Sequence, residues 1–512
     1  MAEYLAPGVY IEPNIHFPPS ITAAPTNIAI FIGYTECHEF SGQSVLNTPI
    51  RIISLLQFEQ YFGGDAKHQF HINAARRGQT ADVSLATKGY CLPQISPNFL
   101  LYRSLCLFFN NGGVECYVVS VGEYHSAINA TAMLGGLAAI KSEVNSSVIA
   151  IPDAVALANA NECALVQQTL LAQCSQDTYK RFAVLDVFQG DSVTSSALQH
   201  DCIDVFRNNI GGADLSYAAA YYPWLETSVI NSKELGFGLF DNIASLKKLL
   251  SFELTQSYPR PNRKNLIKQK QSQALIDAIA EEDLALLSKV QRNEQQQAHQ
   301  SLLSLSPFYS AIIKLITEKL SLLPPSGAVC GSYAMVDRER GVWKAPANIA
   351  LSSVIRPCQT LSNEQQQGLN VHPSGKSING IRSFVGKGVL IWGARTLAGS
   401  GNEWRYINVR RTAMMIEQSV DNGLKALVFE PNDQNLWSKT KMIIENFLMQ
   451  LWQQGALAGA KPEQAYFVNV GLNNSMTSTD ILEGRLIVQL GFAMVRPAEF
   501  IVLKVEQKMS PP

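Results

Sequence analysis

The 512-residue chain is short of charge: Asp, Glu, Lys and Arg make up 16% of it, against the usual quarter. Its 41 basic and 42 acidic side chains nearly cancel, and a formal net charge of -1 gives no electrostatic case for nucleic acid or an anionic membrane. No apolar run approaches the roughly 18 residues of a membrane-spanning helix. The opening Met1-Ala2-Glu3-Tyr4 has neither the basic nor the apolar stretch of a secretion signal, so synthesis in the cytoplasm is expected. The nine cysteines are odd in number and never spaced Cys-x-x-Cys, which fits reduced thiols rather than a disulfide framework. So few charges on so long a chain imply a large buried core or a surface that other chains cover. The length itself implies two or three domains.

Chemistry-bearing patterns are also scarce. His68 and His71 lie three apart, but no nearby Cys or carboxylate completes a metal set, and no metal or other cofactor is expected. Asn370-Val-His-Pro-Ser-Gly375-Lys376-Ser377 resembles a phosphate loop. Asn replaces its first glycine, Pro373 removes an amide donor, and the polar Ser362–Gln367 stands where an apolar strand is needed. The cluster Arg260, Arg263, Lys264, Lys268 and Lys270 has Tyr258 as its one aromatic neighbour, and Glu281, Glu282 and Asp283 follow it. It reads as a solvated helical face, not a nucleic-acid site.

What is present is an α/β pattern. Asn27–Gly33 reads as a buried strand, and Ile50–Tyr61 as a strand entering a helix that stops at Gly63-Gly64. Residues 65–98 are polar and Pro-dotted, a loop by composition. Phe99–Phe109 reads as an amphipathic helix capped by Asn110-Asn111-Gly112-Gly113. Four strands follow, Cys116–Val121, Ser147–Ile151, Phe182–Val187 and Tyr217–Tyr222, the last three set apart by helical stretches. That spacing predicts a parallel, doubly wound sheet. Asp153 and Asp186 stand at strand carboxyl ends, where enzymes of this class carry their sites. Helix capping is the favoured reading of both, and an enzyme built on them is the competing one.

From Ile378 to Lys504 the pattern changes. A helix is expected over Asn408–Asp421, a short strand over Leu424–Phe429, a stronger helix over Leu436–Gln454, and strands at Ala465–Val470, Arg485–Leu490 and Glu499–Val505. In the stronger helix Leu436, Trp437, Thr440, Ile443, Ile444, Phe447, Leu448 and Leu451 form a core-facing stripe. Asp433 supplies its N-cap and Gly455 its stop. The opposite side carries Lys439, Met442, Asn446, Met449 and Gln453. Two methionines on a polar face suit an adaptable docking surface, or a further layer of the same chain that covers them.

Four segments carry a likeness: Val342-Trp343-Lys344-Ala345-Pro346-Ala347-Asn348, Trp392-Gly393-Ala394-Arg395-Thr396, Tyr406-Ile407-Asn408-Val409-Arg410-Arg411 and Pro497-Ala498-Glu499-Phe500-Ile501. Over roughly residues 325–505, with a short piece at the N-terminus, the sequence resembles the contractile tail sheath family of contractile phages and phage-tail-like injection particles. The resemblance implies a core α/β domain, an inserted doubly wound α/β outer domain, and extended β arms at both ends. It also implies a structural, non-enzymatic subunit that polymerises around an inner tube and contracts within a virion or released particle. Its partners would be further copies or sister sheath proteins, the tube protein, and baseplate and cap proteins. A baseplate or cap component with a sheath-like fold is the nearest alternative.

Two expectations follow for residues. Tyr4–Glu12 is a short β-prone piece followed by a tether with Pro13, Pro18, Pro19 and Pro25, which pairs either with its own sheet or with another chain's. The resemblance points to another chain, with Tyr4, Val9, Tyr10 and Ile11 in one arm and Phe500, Ile501, Val502 and Leu503 in the other. It likewise points to Lys439, Met442, Asn446, Met449 and Gln453 as the face that meets the tube. The expected divisions are an arm at 1–24, core at 25–90, an inserted domain at 91–325 ending at Pro324-Pro325, core again at 326–495, and an arm at 496–512.

Overall fold

The computed structural model describes residues 21–40, 42–140, 146–176, 180–191, 201–233, 235–258, 263–280 and 288–500. The chain divides into two compact units, residues 25–411 and residues 412–512 together with 1–24.

The larger unit is built on one nine-stranded sheet. Its strands are β1 (Ala29–Thr35), β2 (Ile50–Ile52), β3 (Cys116–Glu123), β4 (Val148–Ala150), β5 (Phe182–Asp186), β6 (Ala218–Tyr222), β7 (Ile349–Ala350), β8 (Asn379–Phe384) and β9 (Gly388–Ile391), in the order β7-β9-β8-β6-β5-β4-β1-β3-β2. The six central strands run parallel from β8 to β3, and antiparallel strands close both sides. Every residue of β1, β4, β5 and β6 is buried, as continuous apolar strands of a sheet covered on both faces must be. The expected parallel sheet is therefore present, but the expected borders at 91 and 325 are not borders of it. β1 from one side of residue 91 pairs with β3 and β4 from the other, and β6 pairs with β8 across residue 325. Pro325 is the N-cap of the helix Ser326–Arg340.

Two helices in this unit meet closely. α1 (Leu101–Asn110) and α2 (Ser326–Arg340) touch where α2 carries Gly327 and Gly331. A Cβ at Gly331 would lie 2.4 Å from the Phe108 carbonyl oxygen of α1, so only glycine allows this separation. A second hydrophobic core forms an attached lobe. It joins Phe70, Tyr90 and Leu92 to Phe240, Leu250, Tyr309 and Ile316. The stretch read as a loop over 65–98 in fact holds three short antiparallel strands of that lobe, Asn73–Ala74, Val83–Leu85 and Lys88–Cys91. They are too short for alternation to show in the sequence. Described parts of the helical segment following residue 243 pack on the same core.

The smaller unit holds the rest of α3 (Ile407–Leu424), then α4 (Gln434–Gln453), β10 (Tyr466–Val470) and β11 (Val488–Phe492). The strand expected at Leu424–Phe429 does not form. α3 continues through Leu424 and passes into a single 3-10 turn, Lys425–Leu427. Its apolar run is too short for periodicity to separate strand from helix end.

Candidate assembly surfaces

The strand-end aspartates resolve first. Asp153 is fully buried and accepts hydrogen bonds from the amides of Tyr34 (2.8 Å), Leu100 (2.6 Å) and Leu101 (3.2 Å). It thereby caps α1 and the end of β1 together. A Cβ at Gly33 would lie 2.4 Å from its carboxylate, so the glycine makes room for it. Asp186, also buried, accepts the Ser326 amide at 2.8 Å and caps α2. Burial pushes Asp153 up to about 6 and Asp186 up to about 7, against the opposing pull of those donors. Both are caps, but of distant helices and not of the next ones along the chain. Neither carboxylate faces solvent.

The other motifs also find structural uses. His68 is buried beside Asp65 (3.8 Å) and His71 pairs with Asp241 (2.6 Å). Among the described residues no group of His, Cys, Asp and Glu is arranged to hold a metal. In the phosphate-loop look-alike, Lys376 donates to the Arg207 carbonyl and Ser377 to the Asn370 carbonyl, and the helix Asn363–Asn370 precedes them where a strand would be required.

Three of the segments that carry the family likeness, around Trp343, Arg395 and Arg411, contribute to a polar interior. Arg411 is fully buried and forms a two-pronged pair with Asp337 (2.6 and 3.1 Å) while donating to the Thr26 carbonyl. Its guanidinium also lies 4.7 Å from the Tyr333 ring centroid. Arg410 stacks between Tyr217 (3.9 Å) and Trp404 (4.4 Å). Asn408 donates to the Trp343 carbonyl, and Asn379 bridges Ala220 and Arg395. The sequence reading missed Asp337. Its signal was two adjacent arginines among Ile407, Val409, Ala413 and Met414, a setting that demands a buried acid.

α4 follows its sequence reading closely. Asp433 caps it through the Leu436 amide, Gly455 ends it with φ +80°, and Leu436, Thr440, Ile443, Ile444, Phe447, Leu448 and Leu451 are buried. Trp437 is half-buried, its indole held by Asn432. On the other side Met442 is 49% exposed, Asn446 and Gln453 are exposed, and Lys439 and Met449 are half-buried.

β10 and β11 pair antiparallel from Tyr466↔Phe492 to Val470↔Val488. Val468 and Val470 turn inward on the side where α4 packs, while Phe467 and Asn469 turn outward. The exposed Phe467 ring covers Gly491 across the pair. Among the described residues no third strand joins either outer edge. Of the residues expected in the arms, Tyr4, Val9, Tyr10, Ile11, Ile501, Val502 and Leu503 lie outside the described residues. Phe500 is described, exposed and not in a strand.

Against known proteins, residues 400–508 match the phage tail sheath C-terminal domain. The tail sheath protein of Burkholderia phage BcepMu is 27% identical over 195 residues, which are 36% of this chain and 38% of that protein. The match thus spans well under half of that relative's length. Two solved structures match from end to end. The anti-feeding prophage helical sheath in its contracted state is 28% identical, with a TM-score of 0.59 over 99% of this chain and 100% of the other. The sheath complex of the extracellular contractile injection system PVC, also contracted, is 25% identical with the same TM-score over 99% of both chains. The chain thus carries a phage tail sheath C-terminal domain over residues 400–508 and is similar along its whole length to contractile sheath proteins.

Proposed function

We propose that this chain is a structural sheath subunit, copies of which polymerise around an inner tube and contract to drive that tube through a target envelope. The observation that carries the reading is the β10–β11 pair. The pair is backed by α4 on one face, but exposed sheet edges are a hazard that folded proteins normally cover. Here no third strand joins either outer edge among the described residues, the single bridge of Leu457 to Met494 lying just past the end of β11. The β-prone Tyr4–Glu12 and Glu499–Val505 are suited to fill them from neighbouring copies, Tyr4, Val9, Tyr10 and Ile11 entering one edge and Phe500, Ile501, Val502 and Leu503 the other. Each hydrogen bond so formed contributes roughly 0.5–1.5 kcal/mol. One junction is weak, and a lattice repeats it at every subunit.

The α4 face of Lys439, Met442, Asn446, Met449 and Gln453 is the tube-docking surface. Baseplate and cap proteins meet the ends of the lattice, and sister sheath proteins can share it. Contraction draws on the free-energy difference between two packings of the same subunit, tied throughout by the arms. The subunit belongs to a phage or an extracellular contractile particle, and no described helix is long and apolar enough to cross a membrane. Against the enzymatic alternative, the Asp153 and Asp186 carboxylates are buried and accept backbone amides at helix starts. Sedimentation and electron microscopy of the purified protein test the proposal. Long hollow polymers are expected, whereas a small closed oligomer as the end state would overturn it.

A further inference from the structure

Phe429 combines two features that seldom coincide. Its side chain is wholly exposed, at 102% of the reference value, and its backbone is left-handed with φ +71°. A bulky aromatic in that region is strained, and strain of this kind clusters at functional sites. Val428 beside it is 60% exposed. The same turn is tied to the loop after the helix Ser478–Leu482, since the Asn432 side chain donates to the Arg485 carbonyl and accepts from the Trp437 indole. Leu482, the last residue of that helix, is 87% exposed. The turn and the adjoining helix end therefore present three large apolar side chains to solvent, ahead of β11 at Val488. Scattered apolar residues are ordinary on a surface, and a strained aromatic grouped with two others is grounds for a functional hypothesis.

We propose that Val428, Phe429 and Leu482 form a seat for the proline-rich tether of a second copy, residues 13–19, as its arm leaves the β10–β11 sheet. This rests on the strand-exchange reading given above. Three observations select this occupant. The seat adjoins the end of the very sheet the arm would join. The tether, Pro13-Asn14-Ile15-His16-Phe17-Pro18-Pro19, is uncharged apart from His16 and presents Ile15 and Phe17 between prolines, the chemistry that docks on exposed aromatics as a preformed extended helix. Its reach also fits. Ile21 packs on Gly423, and the Ala24 amide donates to Ser419, so the chain is held on α3 up to Ile21. Residues 13–20 lie beyond that anchor, a length of chain that reaches at most about 25 Å when extended. The tether is in this view a second contact that sets the arm's direction, not a passive leash.

The test is a double-mutant cycle on the full-length chain, reading the concentration at which polymer sediments. Phe17→Ser and Phe429→Ser should each raise that concentration about tenfold, as loss of one aromatic anchor does. The double variant should be no worse than either single one. Multiplied effects, or polymerisation of Phe17→Ser at the wild-type concentration, would overturn the seat. Phe429→Gly should leave the melting temperature of the subunit unchanged or raised, since it relieves the left-handed strain, and a marked fall would instead place Phe429 in the core and end the proposal. Deletion of residues 1–20 separates the two readings. If polymer survives that deletion, strand exchange fails and the seat with it. If the deletion abolishes polymer while Phe429→Ser changes nothing, strand exchange stands and the seat alone falls.

Discussion

The two compact units treat their polar groups in opposite ways. In residues 25–411 the strand ends, helix starts and charged side chains largely find partners within the unit. Asp153 and Asp186 cap α1 and α2, and Arg411 is closed by Asp337 and Thr26. In residues 412–500 a two-stranded sheet has no third strand among the described residues, a long helix shows Met442, and one turn shows Phe429. Both have sound cores, so poor folding does not explain the difference. One unit completes its own interior, while the other leaves surfaces that, on the proposed reading, other chains complete.

Breaking the closed unit should cost most. Asp337→Ala strands the fully buried Arg411 guanidinium, and removing one partner of such a pair costs about 3–5 kcal/mol. Thermal or denaturant unfolding of the isolated subunit should show that loss, and a change below about 1 kcal/mol would mean the pair is not buried as described.

How far the sequence reveals this contrast depends on the range of the interaction. The α4 stripe was legible residue by residue because helix period and caps are local, and Asp433 and Gly455 sit where they were expected. The parallel strands were legible because continuous apolar runs spaced by helices have few other solutions. The targets of Asp153 and Asp186 were not, since each caps a helix far off in the chain, at Leu101 and at Ser326. The misplaced borders at 91 and 325 have the same cause: strand pairing across long separations leaves no local mark.

A smaller effect sharpens the comparison through pH. Asp186 has its folded pKa raised to about 7, so the native state holds a proton that the unfolded chain releases nearer 4. The group thus contributes stability that is full at low pH and is lost as pH rises through about 7. Relative to Asp186→Asn, the wild-type subunit should gain up to about 1.4 kcal/mol per pH unit between pH 7 and 5. A flat difference across that window would show that its carboxylate is solvated.

The open unit should respond least in stability and most in assembly. Met442→Glu with Met449→Glu should shift subunit stability by only about half a kcal/mol, as surface changes do, yet abolish recruitment to tubes. A large fall in melting temperature would make these methionines core residues.

The central claim, that neighbours complete the open unit, meets its most direct test in a chain lacking residues 1–20. None of the described strands or helices is touched by this deletion. Circular dichroism should report a folded, soluble subunit, and electron microscopy should show no sheath-like polymer where the full chain forms long ones. Full-length polymers from the shortened chain would contradict the account and leave the lattice to domain surfaces alone.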